Sequence, residues 1–482
     1  MSQRNLTMMT DLYQLTMMHG HFMRNAKEEA VFDLFFREPT GNSSYAIVAG
    51  LEQAIEYIRD LKFTEEDIAY LDGLHLFSQE FLEYLKDFSF TGDLYAIPEG
   101  TPVFPGEPLI RVKAPIMQAQ LVETALLTIV NHQTLIATKA NRVCYAAGEN
   151  GTVMEFGLRR AQGPDAGIYG ARAAMIGGCV GTSNVLTGKM FDIPVLGTHG
   201  HSWVMSFDSE LEAFRAYADT YPDACLLLVD TYDTIRQGIP NAITVFKELR
   251  AKGHEPLGIR IDSGDLAYLS KKARAMLDEA GFPNATITAS SDLDEEVIFD
   301  LRAQGAKIDT WGVGTRLITS QNAPSLGGVY KLSALEKNGE MIPKIKLSEN
   351  KGKITNPGYK KVLRIYDKAK HKALADLICL DEEQYDETKP LTIFDPVDTW
   401  KKLRLTNYTL RELLVPVFVR GKQVYHSPCL QDICAYAKQE MQTLWEEYKR
   451  LTKPHLYKVD LSEQLYELKQ ALIEAHTISH QA

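Results

Sequence analysis

Residues 257–265 read Leu257-Gly258-Ile259-Arg260-Ile261-Asp262-Ser263-Gly264-Asp265, an apolar strand pattern that ends in a polar cluster, and a helical pattern follows over residues 266–277. Similar polar clusters close the apolar runs before residues 230, 290 and 312. The four clusters start 32, 28 and 22 residues apart (230 to 262, 262 to 290 and 290 to 312). This βα period predicts an α/β barrel or a doubly wound sheet, in which ligands bind beyond the carboxyl ends of the strands.

Composition sets the broad class of protein. The chain has 482 residues, of which 45% are hydrophobic and 24% charged, so it can bury a sizeable core and fold into several domains. A net charge of −11 argues against nucleic-acid and anionic-membrane partners. The six cysteines include no Cys-x-x-Cys pair, and neither a signal peptide nor a membrane-spanning run is evident. We therefore expect a cytoplasmic protein.

The pattern changes twice along the chain. Residues 1–137 mix helical spacing with short strands broken by Pro and Gly, and end in a buried helix over residues 119–137. The βα repeats fill residues 138–345. Beyond them the chain is basic, and we predict that its lysines form a solvated hairpin region, with contact to an anionic ligand as the alternative: Lys344, Lys346, Lys351, Lys353, Lys360 and Lys361. Helical patterns close the chain.

The cluster after Ile261 has the residue types of a phosphate or sugar site. A strand end, a glycine turn at Gly264 and a helix start together present amide N–H groups to an anion. Arg260 could face the same site and offer its guanidinium to a phosphate. Asp262 and Asp265, three residues apart, could hold a metal ion or sugar hydroxyls. The alternative is an ordinary capped βα turn.

Two further strings suggest ligand contacts. Residues 312–315, Gly-Val-Gly-Thr, form a second candidate phosphate loop because they come late in the βα series. Residues 155–165 combine Phe156 with Arg159 and Arg160, and a ring beside a guanidinium suits a flat heteroaromatic carboxylate. The alternative for this second string is a surface helix start with solvated arginines.

Residues 197–203 contain His199 and His201, two positions apart. On a strand, a His-x-His pair could bind a metal, although no third ligand is evident nearby. In a glycine-rich turn, a histidine could instead accept a phosphoryl group. The third interpretation is that these histidines have only a structural role.

These strings taken together resemble the nicotinate phosphoribosyltransferase family. The matching segments occur in the family's order at residues 10–17, 155–165, 181–184, 197–203, 229–233, 260–266, 289–292 and 312–315. The resemblance implies an irregular α/β barrel of the type II phosphoribosyltransferase fold, here residues 138–345, beside an N-terminal α/β lobe, residues 1–137. Residues 346–482 would return to that lobe and add C-terminal helices.

The resemblance also implies a homodimer whose two subunits share each active site. Nicotinate would lie between Tyr13 of the neighbouring subunit and Phe156. Arg159 would meet the nicotinate carboxylate, and Ser183 would form part of the pocket wall. The second substrate, phosphoribosyl pyrophosphate, would be held by Arg260, Asp262, Ser263, Gly264, Ser290, Ser291, Gly314 and Thr315.

ATP is implied as a co-substrate that phosphorylates His201, which Asp230 would orient and stabilise. Mg²⁺ is implied as the cofactor, and Asp262 and Asp265 are its candidate ligands. Ser183 stands where a nicotinamide enzyme tends to carry an acid, and a quinolinate enzyme lacks the phosphohistidine motif, so both relatives are less favoured. A catalytically inactive barrel that binds ligands is the alternative from another class of protein.

Overall fold

The computed structural model describes residues 5–478. Contacts divide the chain into a first unit, Met1–Leu135 with Ser325–Ala482, and a second unit, Ile136–Pro324. The sequence placed the second division at 345, some 20 residues later. The observed boundary comes earlier because residues 325–345 contribute two strands to a sheet of the first unit.

The α-helices of the described residues are amphipathic or buried segments, most of them between strands. In chain order they are α1 Leu12–Met23, α2 Leu51–Arg59, α3 Glu65–Gly73, α4 Gln79–Lys86, α5 Ile116–Leu121, α6 Glu123–Ala147, α7 Pro164–Ile176, α8 Val185–Phe191, α9 His201–Met205, α10 Glu210–Thr220, α11 Ile239–Ala251, α12 Leu266–Glu279, α13 Glu295–Ala303, α14 Thr315–Ile318, α15 Leu430–Thr443, α16 Glu446–Lys449 and α17 Glu463–Ile478. The division near residue 135 falls within α6.

The strands are mostly short, as the Pro and Gly interruptions predict. In chain order they are β1 Glu29–Phe36, β2 Ala46–Ile47, β3 Asp93–Ala96, β4 Pro102–Val103, β5 Ile110–Pro115, β6 Thr152–Glu155, β7 Gly181–Thr182, β8 Leu226–Leu228, β9 Gly258–Ile261, β10 Thr286–Ser291, β11 Thr310–Val313, β12 Gly328–Lys337, β13 Glu340–Pro343, β14 Lys360–Asp367, β15 Ala373–Leu380, β16 Leu391–Phe394, β17 Lys402–Leu405, β18 Tyr408–Glu412, β19 Val415–Val419, β20 Lys422–Gln423 and β21 Val459–Leu461.

The first unit is built on mainly antiparallel sheets. Its seven-stranded sheet has the order β13-β12-β1-β5-β3-β19-β20, and its six-stranded sheet has the order β17-β16-β21-β15-β14-β18. Strand β1 pairs antiparallel with both β5 and β12, so a segment from beyond residue 325 lies beside the N-terminal strand. Residues from 325 onward therefore belong to the same unit as the N-terminal strand.

The second unit contains one six-stranded sheet in the order β7-β6-β11-β10-β9-β8, and every neighbouring pair in it is parallel. Helices connect the consecutive strands, as parallel pairing requires. Central residues of these strands, such as Leu227, Ile259, Ile287 and Trp311, are fully buried. This curved parallel sheet confirms the predicted α/β barrel-type architecture.

Two of the lysines after residue 343 are not solvated as predicted. Lys360 is 1% exposed, and its ammonium lies 2.7 Å from the carboxylate of Asp33 on β1. Lys361 is also buried and donates to the carbonyl oxygens of Asp381 and Glu383, each at 2.7 Å. A buried ammonium needs such partners, so these two lysines stabilise the packing of β14 in the first unit.

Within residues 5–478, no helix is both long enough and apolar enough to cross a membrane.

Candidate active site

The carboxyl ends of all six strands of the parallel sheet carry predicted site residues. Each such residue is the last of its strand or lies one or two positions beyond it: Phe156 after β6, Ser183 after β7, Asp230 after β8, Asp262 after β9, Ser291 at the end of β10 and Gly314 after β11. Parallel strands place their carboxyl ends along one edge, which brings together residues up to 158 positions apart (314 − 156). The βα repeat predicted this clustering for the polar groups after β8, β9, β10 and β11, whereas Phe156 and Ser183 were expected from other strings.

Two cavities open at this edge, and both are lined by residues of the second unit. The larger has a volume of about 560 Å³ and is lined by Phe156, Leu158, Arg159, Ser183, Gly197, Thr198, His199, Gly200, His201, Ser202, Leu228, Arg260 and Asp262. The smaller has a volume of about 200 Å³ and is lined by Phe156, Arg159, Arg160, Arg260, Asp262, Ser290, Ser291, Asp292, Gly312, Gly314 and Thr315. Four residues line both cavities, which therefore adjoin.

The shared wall contains Phe156 and Arg159, the predicted ring-binding pair. Phe156 follows β6, and Arg159 lies in a short 3₁₀ turn, Leu158–Arg160. Beneath them the buried carboxylate of Glu155 accepts the Gly157 amide and, at 2.6 Å, the Thr182 hydroxyl. Burial raises the pKa of Glu155, while these two hydrogen bonds act in the opposite direction. Glu155 thus holds the backbone that presents Phe156.

Gly312 leaves room for the Phe156 ring. A Cβ atom at this position would lie 2.7 Å from two ring carbons, closer than side chains tolerate. Gly312→Ala is therefore expected to displace the ring and lower the free energy of unfolding by about 1–3 kcal/mol, which denaturant unfolding would measure. Gly73→Ala, where nothing lies within 4 Å, is the matched control. Equal stability of the two variants would contradict this packing.

Arg260 connects the end of β10 with two loops at the cavity edge. Its guanidinium donates to the Ser290 hydroxyl at 2.7 Å, the Thr198 hydroxyl at 3.2 Å and the Asp262 carboxylate at 2.9 Å. The Ser290 hydroxyl also donates to Asp262. The guanidinium carbon lies 5.7 Å from the centre of the Phe156 ring. A positive group is thus fixed where the two cavities meet.

His201, which lines the larger cavity, forms a hydrogen-bonded pair with Asp230. Nε2 of His201 lies 3.2 Å from Oδ1 of Asp230. The Asp230 side chain is 1% exposed, whereas that of His201 is 39% exposed. The other oxygen of Asp230 accepts the Asp262 amide at 3.0 Å and the Ser263 hydroxyl at 2.5 Å. One buried carboxylate therefore fixes both the histidine and the turn at residues 262–264, where Gly264 has φ +83°.

His199 and His201 do not form the metal pair considered for a strand. Residues 197–200 are a loop, and His201 begins α9. Nε2 of His199 accepts the Leu228 amide at 3.2 Å, so its lone pair is already engaged. Among the described residues, no group of three or more His, Cys, Asp or Glu side chains is arranged to hold a metal ion.

Five candidate residues are not among the cavity linings: Tyr13, Asp230, Ser263, Gly264 and Asp265. Asp230 is hydrogen-bonded to the turn that contains Ser263 and Gly264, as described above. Asp265 is the N-cap of α12, and its carboxylate accepts the Tyr268 amide at 2.9 Å, which is the capped-turn alternative. Tyr13 belongs to α1 in the first unit, where it is 48% exposed.

The structure adds an ion pair that sequence patterns did not single out. Arg316, two residues beyond Gly314, donates to the carboxylate of Asp294 at 2.7 Å. Asp294 also caps α13 through the amides of Glu296 and Val297. The pair joins the loop after β10 to α14, which follows β11, and both segments line the smaller cavity. An N-cap aspartate before α13 was the available signal, but nothing in the sequence indicated its partner.

Comparison with known proteins identifies the family of the chain. The chain matches family models described as the nicotinate phosphoribosyltransferase N-terminal domain (residues 8–131), the family itself (152–384) and its C-terminal domain (359–469). It is 50% identical over 470 residues to "Nicotinate phosphoribosyltransferase" of Bacillus subtilis (strain 168), covering 97% of this chain and 95% of that protein. It is 37% identical to the Dictyostelium discoideum protein of that name, covering 95% and 87%.

Solved structures show the same relationship. The human nicotinic acid phosphoribosyltransferase superposes with a TM-score of 0.84 at 29% identity, over 96% of this chain and 99% of that one. A nicotinate-nucleotide pyrophosphorylase from Pyrococcus furiosus shares the fold, with a TM-score of 0.70 at 22% identity over 91% and 96%. With matches along nearly its whole length, the chain belongs to the nicotinate phosphoribosyltransferase family.

Proposed function

We propose that this protein joins nicotinate to phosphoribosyl pyrophosphate, forming nicotinate mononucleotide and pyrophosphate in NAD biosynthesis, and couples this step to ATP hydrolysis through a phosphohistidine at His201. One observation carries the proposal. Adjoining cavities combine a ring and guanidinium, Phe156 and Arg159, with an arginine-centred polar loop cluster and the His201–Asp230 pair. The nearest rival is the same transfer to nicotinamide.

Nicotinate would bind against the shared wall. Its ring would stack on Phe156, and its carboxylate would accept charge-assisted hydrogen bonds from Arg159, near Ser183. Tyr13, exposed on α1, would cover the ring from a second subunit of a homodimer. The human relative is named for nicotinic acid, which supports this acceptor.

Phosphoribosyl pyrophosphate would occupy the arginine-centred end of the site. Arg260 lies where both cavities meet and can neutralise phosphate charge. Loop amides and hydroxyls would complete the cradle, contributed by Ser263, Gly264, Ser290, Ser291, Gly314 and Thr315. The Asp294–Arg316 ion pair would keep the two segments that it joins at a fixed spacing beside the smaller cavity.

The transfer exchanges one bond at the anomeric carbon. The nicotinate ring nitrogen forms a C–N bond there as the C–O bond to pyrophosphate breaks, and the bonding pair leaves with pyrophosphate. The pyridine nitrogen carries no proton when it attacks, so the site needs no general base. The protein's contribution is to hold the two anionic substrates so that the ring nitrogen attacks in line with the departing pyrophosphate, and to stabilise the charge that leaves.

The hydrogen bond to Asp230 determines which nitrogen of His201 can react. With Nε2–H donated to Asp230, the lone pair is on Nδ1. Nδ1 would attack the γ-phosphorus of ATP and ADP would leave, while Asp230 stabilises the resulting positive ring. Water would later cleave the P–N bond and release phosphate. The added phosphoryl group brings about two negative charges, which would reshape the pyrophosphate site and promote product release.

Mg²⁺ fits this site only if substrate phosphates supply some of its ligands. Asp262 lines both cavities, but one of its oxygens already accepts from Arg260 and Ser290, and Asp265 caps α12. Magnesium commonly takes one or two carboxylates, waters and phosphate oxygens, so Asp262 would be its protein ligand. When bound, Mg²⁺ would neutralise pyrophosphate charge.

We propose a cytoplasmic location for the enzyme.

Arg159→Gln tests the choice of acceptor. Removing the guanidinium deletes charge-assisted hydrogen bonds worth about 1.5–3 kcal/mol, so KM for nicotinate should rise about 10- to 150-fold. Turnover of nicotinamide, which has no carboxylate, should change little. Steady-state kinetics with both acceptors measures this. Arg160→Gln, in the same 3₁₀ turn beside the smaller cavity, should instead raise KM for phosphoribosyl pyrophosphate. A wild type that prefers nicotinamide would overturn the proposal.

A further inference from the structure

His199 and His201 contact the end of β8 in matched register. Nε2 of His199 accepts the amide of Leu228, and Nε2 of His201 meets the carboxylate of Asp230, each at 3.2 Å. Both pairs are separated by the same number of residues, 29 (228 − 199 and 230 − 201). His199 and His201 are two positions apart, and so are their partners Leu228 and Asp230. This spacing is the one found between a pair of parallel strands.

The contact from His199 falls on the free edge of the parallel sheet. Strand β8 is the last strand in the order and pairs only with β9 on its inner side. The Val229 amide donates inward to the carbonyl of Arg260 at 3.1 Å, so the preceding amide, Leu228, points to the outer side. Leu228 is buried, and an unpaired buried amide is costly. The His199 ring takes the place of a neighbouring strand there.

The surroundings of His199 favour the neutral ring that this contact needs. The ring is largely buried and packs edge-on against Tyr217, with centres 4.7 Å apart, and near Phe214. The charged or titratable groups facing it are Arg260 on β9, His201 on α9 and Tyr217 on α10. Burial is the main cause that lowers the pKa of His199 to about 4, and Arg260 and His201 add to it.

We infer that His199 is a positioning residue, whose ring accepts the Leu228 amide on the edge of β8 and thereby sets the register that brings His201 to Asp230. The inference rests on the proposed function, since it assigns a purpose to the alignment of His201. The ring must carry its proton on Nδ1 and leave Nε2 bare. Thr198 and Arg260 anchor the same loop from the other side, through their 3.2 Å hydrogen bond.

Histidine NMR tests the tautomer directly in the wild-type protein. In a ¹⁵N-labelled sample, His199 is expected to show a protonated Nδ1 and a bare Nε2 from pH 8 down to about pH 5, without titrating near 6.5. Because its folded pKa lies below the unfolded value, its contribution to stability is complete above pH 6.5 and is lost as pH falls toward 4. A proton on Nε2, or titration near pH 6.5, would overturn the inference.

Paired variants test the positioning role. His199→Phe keeps a ring of similar size without an acceptor, and His199→Gln restores an acceptor near the place of Nε2. We expect His199→Phe to shift the ring signals of His201 and to slow labelling of the protein by γ-labelled ATP by about 10- to 100-fold. His199→Gln should recover most of that loss. Unchanged His201 signals in His199→Phe would refute the inference.

The two hypotheses can fail separately. If the wild-type protein takes no phosphate from ATP, the coupling part of the proposed function is wrong. The His199 tautomer and the His201 ring signals require no ATP, so they still decide whether His199 sets the register. If labelling is strong and equal in wild type and His199→Phe, the positioning role is wrong while the coupling stands.

Discussion

His201→Ala is expected to abolish transfer of the γ-phosphate of ATP to the protein, because the substitution removes the nitrogen that would accept it. Incubation with γ-labelled ATP should leave the variant at background, and the stimulation of nicotinate turnover by ATP should disappear with it. The protein should remain folded, since the His201 side chain is 39% exposed and its removal leaves no large cavity. Acid-labile, base-stable label in the wild type would identify a phosphohistidine.

A second histidine–carboxylate pair provides the control for this experiment. His254 lies 2.7 Å from Asp223 in the second unit, at an exposed surface and outside the linings of both described cavities. His254→Ala should be labelled and stimulated like the wild type. If His201→Ala is labelled as strongly as His254→Ala, the phosphoryl acceptor lies elsewhere.

Asp230→Asn is expected to have the second-largest effect. An amide has one accepting oxygen, but Asp230 accepts from His201 on one side and from Asp262 and Ser263 on the other. The amide nitrogen introduced by Asp230→Asn would then face either the N–H of His201 or the donors of the turn, so one set of donors would lose its acceptor. Loss of a buried carboxylate that orients a histidine costs about 10⁴-fold in Ser-His-Asp enzymes, so we expect labelling to slow by about 10³-fold or more.

The stability of Asp230→Asn provides a separate measurement. A buried donor left without an acceptor costs about 1–3 kcal/mol, so the midpoint of thermal unfolding should fall by a few degrees. Asp223→Asn removes the same charge from the exposed pair and should affect neither labelling nor stability. Labelling of Asp230→Asn at the wild-type rate would show that the carboxylate does not hold the reactive tautomer.

The sequence was sufficient to predict the parallel sheet and the edge at which its polar clusters lie. Apolar strands followed by polar clusters have a period that few folds share, and parallel pairing places all those clusters along one edge. Phe156, Arg159, His201 and Arg260 line one cavity at that edge. The same reasoning could not decide the role of Asp265. An aspartate just before a helix has the same local sequence pattern whether it caps the helix or binds a ligand.

Contacts between distant segments could not be predicted. Lys360 appears in a basic, polar stretch, yet it is buried against Asp33, 327 residues away (360 − 33). The second division of the chain was placed too late because β12 pairs with β1, nearly 300 residues earlier (328 − 36 = 292). The hydrogen bond from Leu228 to His199 depends on which edge of the sheet is free. Such pairings follow from topology, which periodicity does not encode.

Pyrophosphate release reports the proposed transfer itself and is the decisive assay. It would be followed with nicotinate or nicotinamide as acceptor, with and without ATP, in the wild type and His201→Ala. We expect turnover with nicotinate that ATP increases in the wild type alone. Turnover with nicotinamide in preference, or an ATP effect that persists in His201→Ala, would contradict it, and binding of nicotinate without any turnover would favour an inactive ligand-binding barrel.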